Sequence, residues 1–98
     1  MSEIHVLVSL YAKAGREESL RRDLIQVVEP SRREEGSLSY DLFVDMNDPR
    51  RFVFVERWAS AEAQNKHHTQ SEHIRHFQEK GASNVESTEL ACFLKRVI

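Results

Sequence analysis

Alternation of apolar and polar side chains predicts four strands in this chain. From Ile4 to Ala12 the even positions are apolar and the odd positions are mixed, which is the period of two expected of a strand. The same alternation recurs over Leu38–Met46, Phe52–Trp58 and Glu89–Val97. Because Asn, Asp and Pro separate the second run from the third, we expect these two strands to form an antiparallel hairpin. The polar segment Ala82–Thr88 is predicted to be a loop.

A helical spacing of apolar residues appears between the first two strands. The stripe recurs at i, i+4, i+7 and i+8 and consists of Leu20, Leu24, Val27 and Val28. Pro30 lies late in this segment and is expected to kink the helix or end its regular part, because proline lacks the backbone N–H. Gly36 is suited to the left-handed conformation that follows many helices.

The second helical region is predicted to consist of two pieces. Ser60 is a favourable N-cap for a short helix that reaches about His68. Thr69 and Glu72 then have the spacing of a capping box, which predicts a new start. A second piece is therefore expected from about Gln70 to Lys80.

The order strand, helix, strand, strand, helix, strand predicts one α+β domain over residues 1–98. This order is the ferredoxin-like βαββαβ arrangement, in which four antiparallel strands carry the helices on one face. Several of the predicted strands are apolar on both faces. Since the helices cover only one face, we expect a homodimer that packs through the other.

Composition and charge exclude several classes of protein. The chain is 40% hydrophobic and 31% charged with a net charge of −2, and its acidic and basic residues interleave, so we expect no nucleic-acid partner. No apolar run approaches the ~18 residues of a membrane span, and the N-terminus lacks the pattern of a signal peptide. The lone Cys92 cannot form an internal disulfide, so a cytoplasmic location is expected.

Chemistry-bearing side chains concentrate between Phe52 and Phe77, where four of the five histidines lie. His68 is either a partly buried polar residue that caps carbonyl groups or a general base that lines a pocket, since imidazole titrates near neutral pH. His67, His68, His73 and His76 suggest a metal site, and His73 and His76 are three residues apart and could share a ligand face. No cysteine lies near and the carboxylates are scattered along the chain, so the sequence predicts no metal and no other cofactor.

Two aromatic residues and one acid complete the candidate site. Trp58 and Tyr40 are either plain core residues or the wall of a pocket for a flat aromatic substrate. Glu56 lies on the same strand face as Trp58. If the helices cover this face, Glu56 needs a partner such as a histidine or an arginine.

In order and spacing, these residues together resemble the antibiotic biosynthesis monooxygenase domain family over nearly the whole chain. The resemblance rests on Pro30 with Glu35 and Gly36, Tyr40, Asp48-Pro49, Phe54, Glu56, Trp58, the pattern His68-x-x-Ser71-x-His73, and Phe77. It implies ferredoxin-like chains that dimerise sheet to sheet into an α+β barrel.

The resemblance also implies oxygenation of a quinol or polycyclic phenol by O₂ without metal, flavin or haem. In that reaction a base removes a phenolic proton, and the resulting anion passes an electron to O₂. The implied roles are His68 as base, Ser71 and His73 as orienting groups, and Trp58, Tyr40, Glu56 and Phe54 as substrate-binding residues.

Two departures from haem-degrading relatives exclude haem as the expected substrate. Those relatives resemble this chain but carry asparagine where Val8 stands and tryptophan where His68 stands. Other relatives resemble isomerases of small sugar-phosphate signalling compounds. Arg57 and Lys66 could supply cations for a phosphate, but no strong phosphate site is evident. An isomerase of a small carbonyl compound and a non-catalytic dimeric module for a small aromatic ligand remain as alternatives.

Overall fold

A computed structural model describes residues 2–98 of the chain. Strands and helices alternate in the predicted βαββαβ order, with the second helical region in two pieces. The elements are β1 Ile4–Ala12, α1 Glu17–Arg32, β2 Ser37–Asp45, β3 Asp48–Trp58, α2 Ala61–Gln70, α3 Glu72–Lys80 and β4 Val85–Leu94, with a 3-10 turn at Ala82–Asn84.

One antiparallel sheet has the strand order β2-β3-β1-β4. The predicted hairpin is present, since β2 pairs with β3 across the turn at Met46 and Asn47. The α+β ferredoxin-like fold predicted from the sequence is confirmed.

The core lies between the helices and one face of the sheet. Val6 and Leu10 of β1 point to this face and are buried, as the even-position pattern predicted. The apolar stripe of α1 packs against them, with Leu20 and Leu24 almost fully excluded from solvent. The alternation along β3 groups four residues on one face without deciding which, and all four are buried on this covered face: Phe52, Phe54, Glu56 and Trp58.

Apolar side chains also occupy the opposite face of the sheet. Leu7 is paired with Val55 on one side and with Cys92 on the other. Phe43 and Val55 are 54% and 38% exposed, so the single chain leaves substantial apolar surface on this face uncovered. We call this surface, with Leu90 and Leu94 of β4, the open sheet face.

Three local predictions about element ends were wrong. The hydroxyl of Thr69 donates to the Asn65 carbonyl instead of capping α3, so the predicted capping box does not form. The segment predicted as a loop before β4 is partly strand, because Val85 pairs with Ala12 and extends β4 at its N-terminal end. The last strand accordingly ends at Leu94, three residues earlier than predicted.

Candidate active site

A cavity of about 300 Å³ lies between the helix-covered face of the sheet and helices α1, α2 and α3. Its lining is mostly apolar, with a few groups that can exchange protons. The lining residues are Val6, Val8, Leu10, Leu24, Val27, Tyr40, Phe54, Glu56, Gln64, His67, His68, Ile74, Phe77, Gln78, Thr88, Ala91 and Phe93. A larger groove of about 390 Å³ between α1 and β2 contains no histidine or tyrosine, so we assign the chemistry to the cavity of about 300 Å³.

Glu56 is a buried acid in the wall of this cavity. Its Oε1 accepts a hydrogen bond of 2.9 Å from the Trp58 indole N–H, so its partner is neither a histidine nor an arginine. Burial raises the pKa of Glu56 to about 7, and the nearby Glu34 charge adds to the rise, while the Trp58 hydrogen bond opposes it. Near neutral pH this carboxyl group is therefore protonated in a large fraction of molecules.

The two aromatic candidates occupy different positions. Tyr40 lines the cavity, and burial raises the pKa of its phenol, so the ring stays neutral. Trp58 is fully buried and does not line the cavity. Its ring lies 4.6 Å from the ring of His67, which in turn lies 5.4 Å from Tyr40. Trp58 thus supports the wall from behind by holding both Glu56 and His67.

The adjacent histidines of α2 have different environments. His68 is exposed and lines the cavity from its outer side. His67 is only 4% exposed, and its Nδ1 lies 2.6 Å from Oε2 of Glu34. Burial lowers the pKa of His67, and the hydrogen bond to Glu34 opposes that change.

Glu34 collects hydrogen bonds from three side chains. The Ser71 hydroxyl donates to Oε1 at 2.6 Å, and Nε2 of His73 lies 2.9 Å from the Oε2 that His67 also contacts. Burial raises the pKa of Glu34, but hydrogen bonds from Ser71 and His67 and the histidine charges outweigh it, so the net pKa is lowered. Because an ionised carboxylate only accepts, each imidazole presents an N–H to it. His73 also contacts the buried Ser31 hydroxyl at 3.1 Å.

Apart from Trp58 behind the cavity wall, the predicted site residues fall into two groups. His68, Tyr40, Glu56 and Phe54 line one cavity. Ser71 and His73 lie outside that lining and contact Glu34, which holds His67. The sequence reasoning missed Glu34 and Ser31, and it considered His67 only among the four histidines of a possible metal site. Gly36 was the one local signal for a turn near Glu34.

A family model described as "Antibiotic biosynthesis monooxygenase" matches residues 3–80. The chain belongs to this family.

Similar proteins agree with this assignment. "Putative monooxygenase YcnE" of Bacillus subtilis (strain 168) is 35% identical over 69 residues, which are 70% of this chain and 72% of that protein. The crystal structure of PA3566 from Pseudomonas aeruginosa superposes with a TM-score of 0.93 at 28% identity and covers 100% of this chain and 97% of that one. A crystal structure described as an antibiotic biosynthesis monooxygenase superposes with a TM-score of 0.89 at 26% identity and covers 97% of this chain and 99% of that one.

Within residues 2–98, no helix combines the length and the apolar character needed to cross a membrane.

Proposed function

We propose that this family member is a monooxygenase that oxidises a quinol or polycyclic phenol with O₂ and without metal, flavin or haem. The observation that carries the proposal is the mostly apolar cavity of about 300 Å³ with Tyr40, Glu56 and His68 in its wall. Such a cavity fits a flat aromatic ring and supplies few, well-placed polar groups for its oxygen atoms. The cytoplasm, where the lone Cys92 stays reduced, is the proposed location.

His68 is the proposed base. It lies in the cavity wall and is exposed, so it can take a phenolic proton and return it to solvent. The resulting electron-rich anion supplies all four electrons that reduce O₂: one oxygen atom enters the ring, the other leaves as water with two hydrogen atoms of the substrate, and the ring becomes a quinone. Aromatic and aliphatic side chains around the anion exclude bulk water during these steps.

The remaining candidates have supporting roles. Tyr40 and Phe54 form the wall against the ring, and the protonated Glu56 supplies an acid for a peroxide oxygen. Ser71 and His73 orient the site indirectly. They hold the Glu34 carboxylate, and this carboxylate fixes His67, which is the neighbour of the proposed base.

A homodimer through the open sheet face completes the proposed assembly. Exposed apolar side chains on β2, β3 and β4 lie on that face, and a second sheet would bury them. The partners of the proposed enzyme are thus a second copy of the chain, a small aromatic substrate and O₂.

An isomerase of a small carbonyl compound is the second candidate. Glu56 and His68 line the same cavity, one as a buried acid and the other as an exposed imidazole. Such a pair can remove a proton beside a carbonyl group and return one at a neighbouring atom. Turnover without consumption of O₂ favours this reaction.

Oxygen uptake by the metal-stripped protein with a panel of hydroquinones and hydroxyanthrones tests the proposal. We expect uptake above autoxidation in the wild type and a fall of about 100-fold or more in His68→Ala, the usual scale for loss of a general base. His76→Ala is the matched control, because His76 is exposed on α3 and outside the cavity lining.

Two results would change the proposal. If oxygen uptake falls in His67→Ala and is unchanged in His68→Ala, the role of base passes to His67. No uptake above background with any compound contradicts the monooxygenase. Substrate conversion without uptake then identifies the isomerase, and binding without conversion identifies the non-catalytic module.

A further inference from the structure

Glu34, His67 and His73 come from three different parts of the fold and converge behind the cavity. Glu34 lies in the loop after α1, His67 lies on α2 and His73 lies on α3. Their nearest nitrogen and oxygen atoms all lie within 4.8 Å of one another. No other trio of potential metal-binding side chains converges in this way in residues 2–98.

We propose that these three side chains form a binding site for one divalent transition-metal ion of the zinc type. Two imidazole nitrogens and one carboxylate oxygen are a recurring donor set for zinc and its neighbours. Only His67 of the three also lines the cavity, but all three belong to the hydrogen-bonded network that orients the proposed base, so zinc binding is tested separately from oxygen uptake.

Distances within the cluster fit such an ion. Ligand atoms held about 2.1 Å from one ion at right angles are about 3.0 Å apart, and at a tetrahedral angle about 3.4 Å apart. Oε2 of Glu34 lies 2.6 Å from Nδ1 of His67 and 2.9 Å from Nε2 of His73. Both pairs are shorter than these separations, so Glu34 must move away from the two rings to admit the ion, while all three ligand atoms already lie within 4.8 Å of one another.

Access and charge also suit a cation. The side chains of Glu34 and His73 are each 20% exposed. Glu34 opens onto a surface depression of about 190 Å³ that Glu35 and Ser71 also line. The depression is lined by two carboxylates and one cation, Lys66, so its net negative charge attracts an incoming metal ion.

Binding exchanges one set of contacts for another. In the free protein each imidazole presents an N–H to the Glu34 carboxylate. A neutral ring can move that proton to its other nitrogen, and the nitrogen that faces Glu34 then has a lone pair for the ion. Three protein ligands leave at least one coordination position open, which water fills. The ion then joins the end of α1 to both α2 and α3.

A calorimetric titration of the chelator-treated full chain with zinc chloride tests the site. We expect one ion per chain, with affinity lowered at least tenfold in Glu34→Gln and in His73→Ala. Glu34→Gln keeps the size of the side chain and a hydrogen-bond acceptor, so it guards against a variant that fails to fold. His76→Ala keeps the other histidines of α2 and α3 and should bind within twofold of the wild type.

Thermal unfolding supplies a second readout. Since a ligand that binds only the folded state stabilises it, saturating zinc should raise the unfolding midpoint by several degrees in the wild type and His76→Ala. The midpoints of Glu34→Gln and His73→Ala should move little. Equal zinc affinity in all four proteins, or no binding at all, overturns the proposal.

Discussion

At the scale of single residues, Glu56 shows how one buried group acquires its chemistry. The alternation along β3 placed it on the same face as Trp58, and the structure shows that the helices cover this face, with Trp58 as hydrogen-bond donor to Glu56. One neutral donor does not replace the water that burial removes. The carboxyl group therefore binds a proton more tightly in the folded protein than in the unfolded chain.

Glu56→Gln should remove a pH-dependent part of the stability. The folded pKa of about 7 is above the unfolded value of 4.5, so the contribution of this group is fully present below pH 4.5 and is lost as the pH rises through 7. Between pH 5 and pH 8 the free energy of unfolding of the wild type should fall by about 2–3 kcal/mol more than that of Glu56→Gln, as measured by urea denaturation. A pH-independent difference between the two proteins would contradict this.

At the scale of elements, the connection from α1 to β2 positions Glu34 beside α2. Gly36 in this connection has a positive φ of 85°, which agrees with the left-handed conformation predicted for it. Its carbonyl accepts from the Ala59 N–H at 2.8 Å, so the loop is tied to the start of the second helical region. A Cβ at Gly36 would lie 2.5 Å from the Cβ of Ala63 on α2.

Gly36→Ala should therefore be much more destabilising than Gly15→Ala. Both positions have positive φ, which costs a side-chain-bearing residue about 1–2 kcal/mol, but a Cβ at Gly15 meets nothing within 4 Å. The contact with Ala63 should add about 1–3 kcal/mol at Gly36, the usual cost of overpacking. Urea denaturation of both variants measures the difference, and equal losses would mean that the loop moves away from α2 freely.

At the scale of the whole molecule, both faces of the sheet are apolar, but only one of them is covered. The helices and the core cover one face, while the open sheet face carries Phe43, Val55, Leu90 and Leu94 at 38–54% exposure. Monomeric proteins seldom leave such a contiguous apolar surface in water. This is the physical basis for the proposed homodimer.

Val55→Lys should shift the protein from dimer to monomer. The charge would be buried in the proposed interface, whereas in the monomer Asp41 lies directly opposite on β2 and can pair with it. Light scattering at micromolar concentration should give twice the chain mass for the wild type and one chain mass for the variant. Met46→Lys is the control, because Met46 lies in the hairpin turn and is 98% exposed. A monomeric wild type would refute the dimer.

Much of the fold was predictable because it depends on short-range periodicity. Alternation over Ile4–Ala12 defines a strand whatever the partner, and the α1 stripe defines a helix in the same way. The end of β4 was not predictable, because the register with β1 decides which of its residues pair. The Thr69–Glu72 pattern failed for a similar reason: α2 continues through Thr69 and carries its hydroxyl back onto Asn65.

By itself the sequence determined the order of elements and which residues of β3 share a face, but not which face of the sheet the helices cover. Only the tertiary structure decided which histidine is buried, because His67 and His68 are neighbours whose directions differ by about 100° around a helix axis. It also brought Glu34 to His67 across 33 residues of sequence. No periodicity reports such a contact, since it depends on how the end of α1 packs against α2 and α3.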